Sequence, residues 1–128
     1  MEFSSHQAIY LQIADQVCES ILTGKWQYEN KIHSVRDMAV QIEVNPNTVA
    51  RAYSYLQEKG IIINKRGLGY FITKGAMAIT LTEKQEAFKK IELPRVFKMM
   101  RLLKIDPEAI EDLYASYLQQ NGDDNENK

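Results

Sequence analysis

The sequence predicts a mainly α-helical chain with one small β-hairpin, arranged as a winged helix-turn-helix and followed by a short C-terminal helical domain. Three observations lead to this prediction. Two helix starts lie close together, at Ser34 and Asn45. Directly after the second helix, two β-rich runs flank a glycine-containing turn within residues 61–73. Amphipathic helical patterns then resume near residue 82.

A first long helix is predicted over residues 7–23, where apolar residues recur at helical spacing until Thr23 and Gly24 end the pattern. Its apolar stripe comprises Ile9, Tyr10, Ile13, Ala14, Val17, Ile21 and Leu22. We expect this scaffold helix to pack on the helix-turn-helix, with Trp26 and Ile32 closing the core. The chain's one cysteine, Cys18, excludes an intramolecular disulfide; we expect a buried thiol, with redox sensing as the alternative.

The first helix of the helix-turn-helix is predicted to begin after Ser34 and to end near Ile42. As the N-cap, Ser34 can accept a hydrogen bond from an unpaired backbone N–H of the first helical turn. Asp37 adds negative charge near the helix N-terminus, where the helix dipole favours it. One buried stripe is expected, formed by Val35, Met38, Ala39 and Ile42.

The second helix is predicted to begin at Pro46, with Asn45 as N-cap and Gly60 closing its C-terminus. Its buried stripe is expected to contain Val49, Ala52, Tyr53 and Leu56. The outward face is left to Asn47, Thr48, Arg51 and Tyr55. Because the N-terminal half of such a helix commonly enters the major groove, these polar groups are candidate base readers.

The β-hairpin is predicted to form the wing. Lys65 and Arg66 put positive charge at its tip, and Gly67 and Gly69 let the backbone approach a phosphate or groove floor closely. In combination with the two preceding helices, this basic hairpin makes double-stranded DNA the leading candidate ligand. Ser34, Arg36 and Asn45, at the two helix starts, are also candidate DNA-binding residues.

Beyond the wing, residues 74–77 read as a linker, and Thr82 with Gln85 predicts a capped helix start. Pro94 predicts a kink or a break in this helix near Glu92 and Leu93, since an internal proline removes a backbone hydrogen bond. Another helix is predicted to begin after Asp106, at Pro107.

These C-terminal helices carry more apolar surface than they can bury against each other, so we expect a symmetric dimer. The candidate dimerisation residues are Phe88, Ile91, Phe97, Met100, Ile110, Leu113, Tyr114 and Tyr117. Folding back on the DNA-binding domain as a lid is the alternative. The predicted domains are residues 1–75, the winged helix-turn-helix; 76–120, the helical dimerisation domain; and 121–128, a disordered polar tail.

The charge balance argues mildly against nucleic acid. The net charge is -1 with a pI near 6.1, whereas DNA-binding domains are usually basic. Residues 1–75 carry a net +1 and residues 76–128 a net -2. Placement matters more than the sum, because Arg36, Arg51, Lys65 and Arg66 are expected on one face. The alternative is a winged-helix module that binds protein without specific DNA binding.

Composition and motifs argue against a membrane protein, a secreted protein, a metal-binding protein and an enzyme. With 45% hydrophobic and 26% charged residues, no membrane span and no secretion signal, the chain is expected to be a cytoplasmic globular protein. Neither His6 nor His33 has ligand partners at metal-binding spacing, and no catalytic constellation appears, so no metal, cofactor or enzymatic activity is expected. A small-molecule effector between the C-terminal helices and the wing stays open.

The motifs resemble the winged-helix domain of the GntR family of bacterial transcription regulators, and the small C-terminal part resembles its YtrA-type subfamily. The resemblance rests on Ile9 to Ile13, Ser34 to Ala39, Val44 to Val49, Arg51 to Tyr53, Glu58 to Ile61 and Arg66 to Gly69. It implies a dimeric regulator, acting as a repressor, that binds an inverted repeat through contacts from Arg36, Asn47, Thr48, Gly67 and Gly69.

The sequence also departs from this family. Pro46 and Ala50 stand where other subfamilies often have arginine, so base readout is expected to depend on Asn47, Thr48 and Arg51. Glu43 replaces the turn glycine, and we expect it to adopt a positive φ.

Overall fold

The computed structural model describes Phe3 and residues 7–126. It confirms a mainly helical chain with a two-stranded antiparallel hairpin. The elements are α1 (Ile9–Leu22), α2 (Val35–Ile42), α3 (Pro46–Glu58), β1 (Ile62–Lys65), β2 (Gly69–Ile72), α4 (Ala76–Ala87), a π-helical turn (Phe88–Glu92), α5 (Leu93–Leu103) and α6 (Pro107–Glu126). They form two compact units, Met1–Gln85 and Glu86–Lys128. Within the described residues, no helix is both long and apolar enough to span a membrane.

Both predicted helix starts of the helix-turn-helix are confirmed. The Asp37 backbone N–H donates to Ser34 Oγ at 3.1 Å, and the Asn47 backbone N–H donates to Asn45 Oδ1 at 2.8 Å. These caps satisfy amides that the first turns of α2 and α3 cannot pair internally. Glu43, between the two helices, has the predicted positive φ, at 56°.

The core of the first unit lies where α1, α2 and α3 meet the wing. The predicted α3 stripe is fully buried, and Ile32 and Cys18 are buried as expected, while Trp26 packs on the edge of the core. On α1 the buried residues are Ile13, Ala14, Val17, Cys18 and Ile21. Ile9 was expected in this stripe but is 44% exposed, because it occupies the first position of the helix.

The wing contains a pairing that the sequence does not reveal. Strands β1 and β2 pair from Ile62 with Ile72 to Lys65 with Gly69. The segment before α2 adds to the other edge of β2, where Lys31 forms an isolated bridge with Phe71 and the Ile32 N–H donates to the Tyr70 carbonyl at 3.0 Å. This segment therefore ties the wing to the helix-turn-helix.

The predicted linker at residues 74–77 and the predicted helix start at Thr82 are wrong. Helix α4 begins at Ala76, which is buried, and Thr82 lies inside it. The first compact unit consequently extends to Gln85, beyond the boundary predicted after residue 75. Helix α4 begins early because tertiary packing buries Ala76 and Thr80 in the first unit, and this burial outweighs the local capping pattern at Thr82.

Near Pro94 the backbone stays helical, with a π-helical turn over Phe88–Glu92 before α5. Pro94 lies in the first turn of α5, where a missing N–H is tolerated. The π-helical turn thus occupies the place where a kink or a break was predicted.

Helix α6 begins at Pro107 as predicted and continues to Glu126. The helix covers residues 121–126 of the predicted disordered tail, residues 127 and 128 lie outside the described part of the chain, and the disorder of the tail stays a prediction. An existing helix extends at low cost, and Asn121 Nδ2 donates to the Tyr117 carbonyl at 3.0 Å.

Candidate nucleic-acid interface

The N-terminal half of α3 exposes most of the predicted reading residues. Asn47 and Arg51 are exposed and Thr48 is half-buried. Asn45 is exposed as well, but its carboxamide oxygen already accepts the capping hydrogen bond. Asn45 is consequently placed to orient the helix start, while Asn47 and Arg51 have exposed side chains in the first half of α3.

Tyr55 departs from the expected outward placement. It is half-buried and packs against the core, with its ring edge-to-face with the Tyr10 ring at a centroid separation of 6.2 Å. Helical spacing put Tyr55 in line with Asn47 and Arg51, but α1 packs across that position. Its side chain therefore belongs largely to the α1–α3 contact.

Arg51 lies against Tyr10 of α1, a residue that was predicted only as part of the scaffold helix. The guanidinium carbon of Arg51 is 4.0 Å from the centroid of the Tyr10 ring, a cation–π distance. An open groove of about 400 Å³ runs beside this pair, lined by Ala8, Ile9, Tyr10, Asn47, Thr48 and Arg51. The N-terminus of α1 thus forms one wall of the groove and α3 the other.

The segment that carries Ser34 and Arg36 is held in place by a hydrogen bond from a buried residue of α3. Both residues are exposed at the start of α2. The buried Tyr53 hydroxyl donates to the His33 carbonyl at 2.7 Å, and burial raises the pKa of Tyr53, so the hydroxyl stays protonated as a donor. This hydrogen bond fixes the chain immediately before the N-cap.

The predicted wing residues lie at the hairpin turn. Lys65 and Arg66 are exposed, and Lys65 Nζ is 4.6 Å from the centroid of the Phe71 ring. Gly67 and Gly69 have φ values of 78° and 114°, conformations that favour glycine.

Lys31 is a cation near the wing that sequence reasoning missed. A Cβ atom on Gly69 would lie 2.9 Å from Lys31 Cε, so this exposed lysine side chain runs directly across Gly69. Nothing in the local sequence signals this contact, because it depends on the pairing of Lys31 with Phe71 of β2.

The acidic residues leave these cations uncompensated. In the described part of the chain, the ion pairs join Lys59 to Glu83, Lys84 to Asp15, Lys89 to Glu86 and Arg95 to Glu92. No ion pair among the described residues engages Arg36, Arg51, Lys65 or Arg66. A net charge near zero is therefore compatible with a local excess of positive charge at α3 and the wing.

Comparison with known proteins gives consistent results. The profile of the bacterial regulatory proteins of the gntR family matches residues 9–72. The HTH-type transcriptional regulator YhcF of Bacillus subtilis, itself uncharacterized, is 36% identical over 85% of this chain and 88% of its own length. The HTH-type transcriptional repressor YtrA of Bacillus subtilis is 38% identical over 67% of this chain and 66% of its own length.

A solved structure has the same fold. The GntR family transcriptional regulator from Listeria monocytogenes superimposes with a TM-score of 0.72 at 33% identity, covering 89% of this chain and 98% of the other. The match to the gntR family profile spans α1 through the wing, where the candidate DNA-binding residues lie. The chain belongs to the GntR family of bacterial transcription regulators and is of the YtrA type.

Proposed function

We propose that the protein is a sequence-specific DNA-binding repressor that acts as a homodimer on an inverted-repeat operator. The observation that carries the proposal is the exposed, uncompensated Arg51 beside Asn47 in the N-terminal half of α3. Helices of this kind enter the major groove, where arginine and asparagine can form bidentate hydrogen bonds with base edges. Because bacterial DNA lies in the cytoplasm, the regulator would work there.

The wing and the start of α2 would supply the phosphate contacts. Arg36, Lys65 and Arg66 are exposed cations, and Gly67 and Gly69 allow close backbone approach. Such contacts position a protein on the duplex without reading its sequence.

The dimer is proposed from the apolar surface of the second unit. Helix α5 buries none of its residues, and exposed large hydrophobic side chains continue along α6. Among the predicted dimerisation residues, Met100 is half-buried and the others are exposed. A second copy of the chain would cover this surface with a symmetric interface. The repressor role follows by analogy with YtrA of Bacillus subtilis, which is named as a repressor.

Selection from a random DNA pool followed by fluorescence anisotropy tests the DNA-binding proposal. Replacing Arg51 by alanine should weaken binding to the selected duplex by about 1–3 kcal/mol if it contacts a base. Arg66→Ala should reduce the slope of log affinity against log salt concentration by about one, because one phosphate contact is lost. Lys89→Ala is the matched control, because Lys89 is an exposed cation of the second compact unit that is already paired with Glu86. It should leave both quantities nearly unchanged.

A protein-binding winged-helix module is the competing function, and the overall charge of -1 favours it. Fluorescence anisotropy titrations with duplex DNA at several salt concentrations separate the two functions. A DNA-binding protein releases counterions and shows affinity that falls steeply with salt, whereas a protein-binding module shows no duplex binding at any salt concentration.

A further inference from the structure

Arg51 is the top of a stack of side chains that joins α3 to α1. Its guanidinium lies 4.0 Å from the Tyr10 ring centroid, and Tyr10 in turn contacts the Tyr55 ring edge-to-face. Lys59 Nζ lies 5.4 Å from the Tyr55 ring centroid. Tyr10 and Tyr55 are half-buried, whereas Arg51 is exposed. The stack thus has a packed aromatic base and a charged solvent-facing end.

We propose that Tyr10 is a positioning residue that presents Arg51 to DNA. The inference rests on the proposed function, since it concerns how the same α3 surface reads its ligand. A free arginine side chain samples many rotamers and loses this freedom when it binds. Stacking on a fixed ring restricts those rotamers before DNA arrives, so that less freedom is lost on binding.

The stacking geometry also selects the chemistry that Arg51 can recognise. A guanidinium is planar, and its five N–H donors lie in that plane. The guanidinium carbon lies over the Tyr10 ring, so a ligand can reach the group only from the sides that the ring leaves open. A guanidinium held in this way suits a pair of acceptors in its own plane. The O6 and N7 atoms of guanine form such a pair, and so do two oxygens of a phosphate.

The groove places other polar groups beside the presented guanidinium. Asn47 and Thr48 line the same groove as Tyr10 and Arg51, and Ala8 and Ile9 form the opposite wall without charge. An acceptor pair that reaches Arg51 would therefore lie within reach of Asn47 and Thr48 as well. The start of α1 contributes to recognition by holding the arginine, although it supplies no charged side chain there.

Two substitutions of Tyr10 in the full chain separate positioning from packing. Tyr10→Leu keeps an apolar side chain but removes the ring face, whereas Tyr10→Phe keeps the ring and loses only the hydroxyl. Losing the preorganisation of one rotamer-rich side chain corresponds to about a two- to twelvefold rise in Kd. We expect that rise on the selected duplex for Tyr10→Leu, with near wild-type affinity for Tyr10→Phe.

A double-mutant cycle with Arg51→Ala shows whether the effect acts through Arg51. Tyr10→Leu should have no further effect on affinity once Arg51 is alanine, because there is no guanidinium left to orient. A random duplex distinguishes the two acceptors. A base contact predicts that Tyr10→Leu weakens only the selected duplex, and a phosphate contact predicts equal weakening of both.

NMR of the free protein provides a readout that does not depend on DNA. The δ protons of Arg51 should be shifted upfield by the Tyr10 ring in the wild type and in Tyr10→Phe, and should move to ordinary values in Tyr10→Leu. Unshifted Arg51 protons in the wild type would overturn the inference even if Tyr10→Leu failed to fold. Additive effects in the cycle, or equal losses for Phe and Leu, would also overturn it.

Failure of the proposed function would look different. In that case the wild type would bind no duplex at any salt concentration, while the Arg51 ring-current shift would persist. Binding that depends on Arg51 but not on Tyr10 would leave the regulator proposal intact and reject only the positioning role.

Discussion

Replacing Leu113 by aspartate should convert the proposed dimer into monomers. Leu113 is 65% exposed on α6, in the second compact unit, next to the exposed Tyr114. In a symmetric interface each subunit contributes its own Leu113, so one substitution removes two buried side chains and introduces two carboxylates.

The expected magnitude follows from the exposed area. Complete burial of a leucine side chain is worth about 1.5–3 kcal/mol, and the exposed two thirds of Leu113 therefore correspond to about 1–2 kcal/mol per copy. For two copies this amounts to about 2–4 kcal/mol, which raises the dimer Kd about 30- to 700-fold at 1.4 kcal/mol per factor of ten. Desolvation of the two carboxylates adds to this loss.

Sedimentation equilibrium over a range of protein concentrations measures this change directly. Val40→Asp is the matched control, because Val40 is 74% exposed but belongs to α2 in the first unit. It should leave the dimer Kd unchanged. If Leu113→Asp kept the wild-type Kd, or if Val40→Asp dissociated the dimer equally, the proposed interface on the C-terminal helices would be refuted.

Three further predictions concern the scaffold. Tyr53→Phe removes the 2.7 Å hydrogen bond to the His33 carbonyl and should lower the free energy of unfolding by about 1–2 kcal/mol in urea titrations; an unchanged midpoint would contradict this. Gly67→Ala and Gly69→Ala each place alanine at a positive φ, at a cost of about 1–2 kcal/mol. Gly69→Ala should destabilise more in the same titrations, because its φ of 114° lies farther from the left-handed region open to alanine than the 78° of Gly67, and equal losses would contradict this. Burial raises the pKa of the Cys18 thiol, so the unfolded chain deprotonates first and stability falls as pH rises above about 8.5. Cys18→Ala should show a shallower decline in that range, and parallel stability curves would count against the prediction.

Local chemistry explains why the helix-turn-helix was predictable. The caps at Ser34 and Asn45, the proline at the start of α3 and the positive φ of Gly60 each depend on neighbours within a few residues. These local signals predict the structure correctly because the backbone N–H and C=O groups that they satisfy lie within the same helical turn.

The errors fall where distant residues compete with local patterns. Thr82 with Gln85 resembles a capping box, yet α4 begins six residues earlier because Ala76 packs into the core. Tyr55 has the spacing of an outward residue, but α1 covers it through Tyr10. Lys31 was not predicted near the wing at all, since only its bridge to β2 brings it there.

By itself the sequence determined the helix starts, the glycine-tipped hairpin and the cations available for a duplex, since these depend on residue type and short spacing. Only the tertiary structure decided that Tyr10 lies beneath Arg51, that Lys31 crosses Gly69 and that α4 continues the first compact unit. The physical reason is that burial and ring stacking join residues far apart in the chain, and their free energies can exceed the modest preferences of a single helix turn.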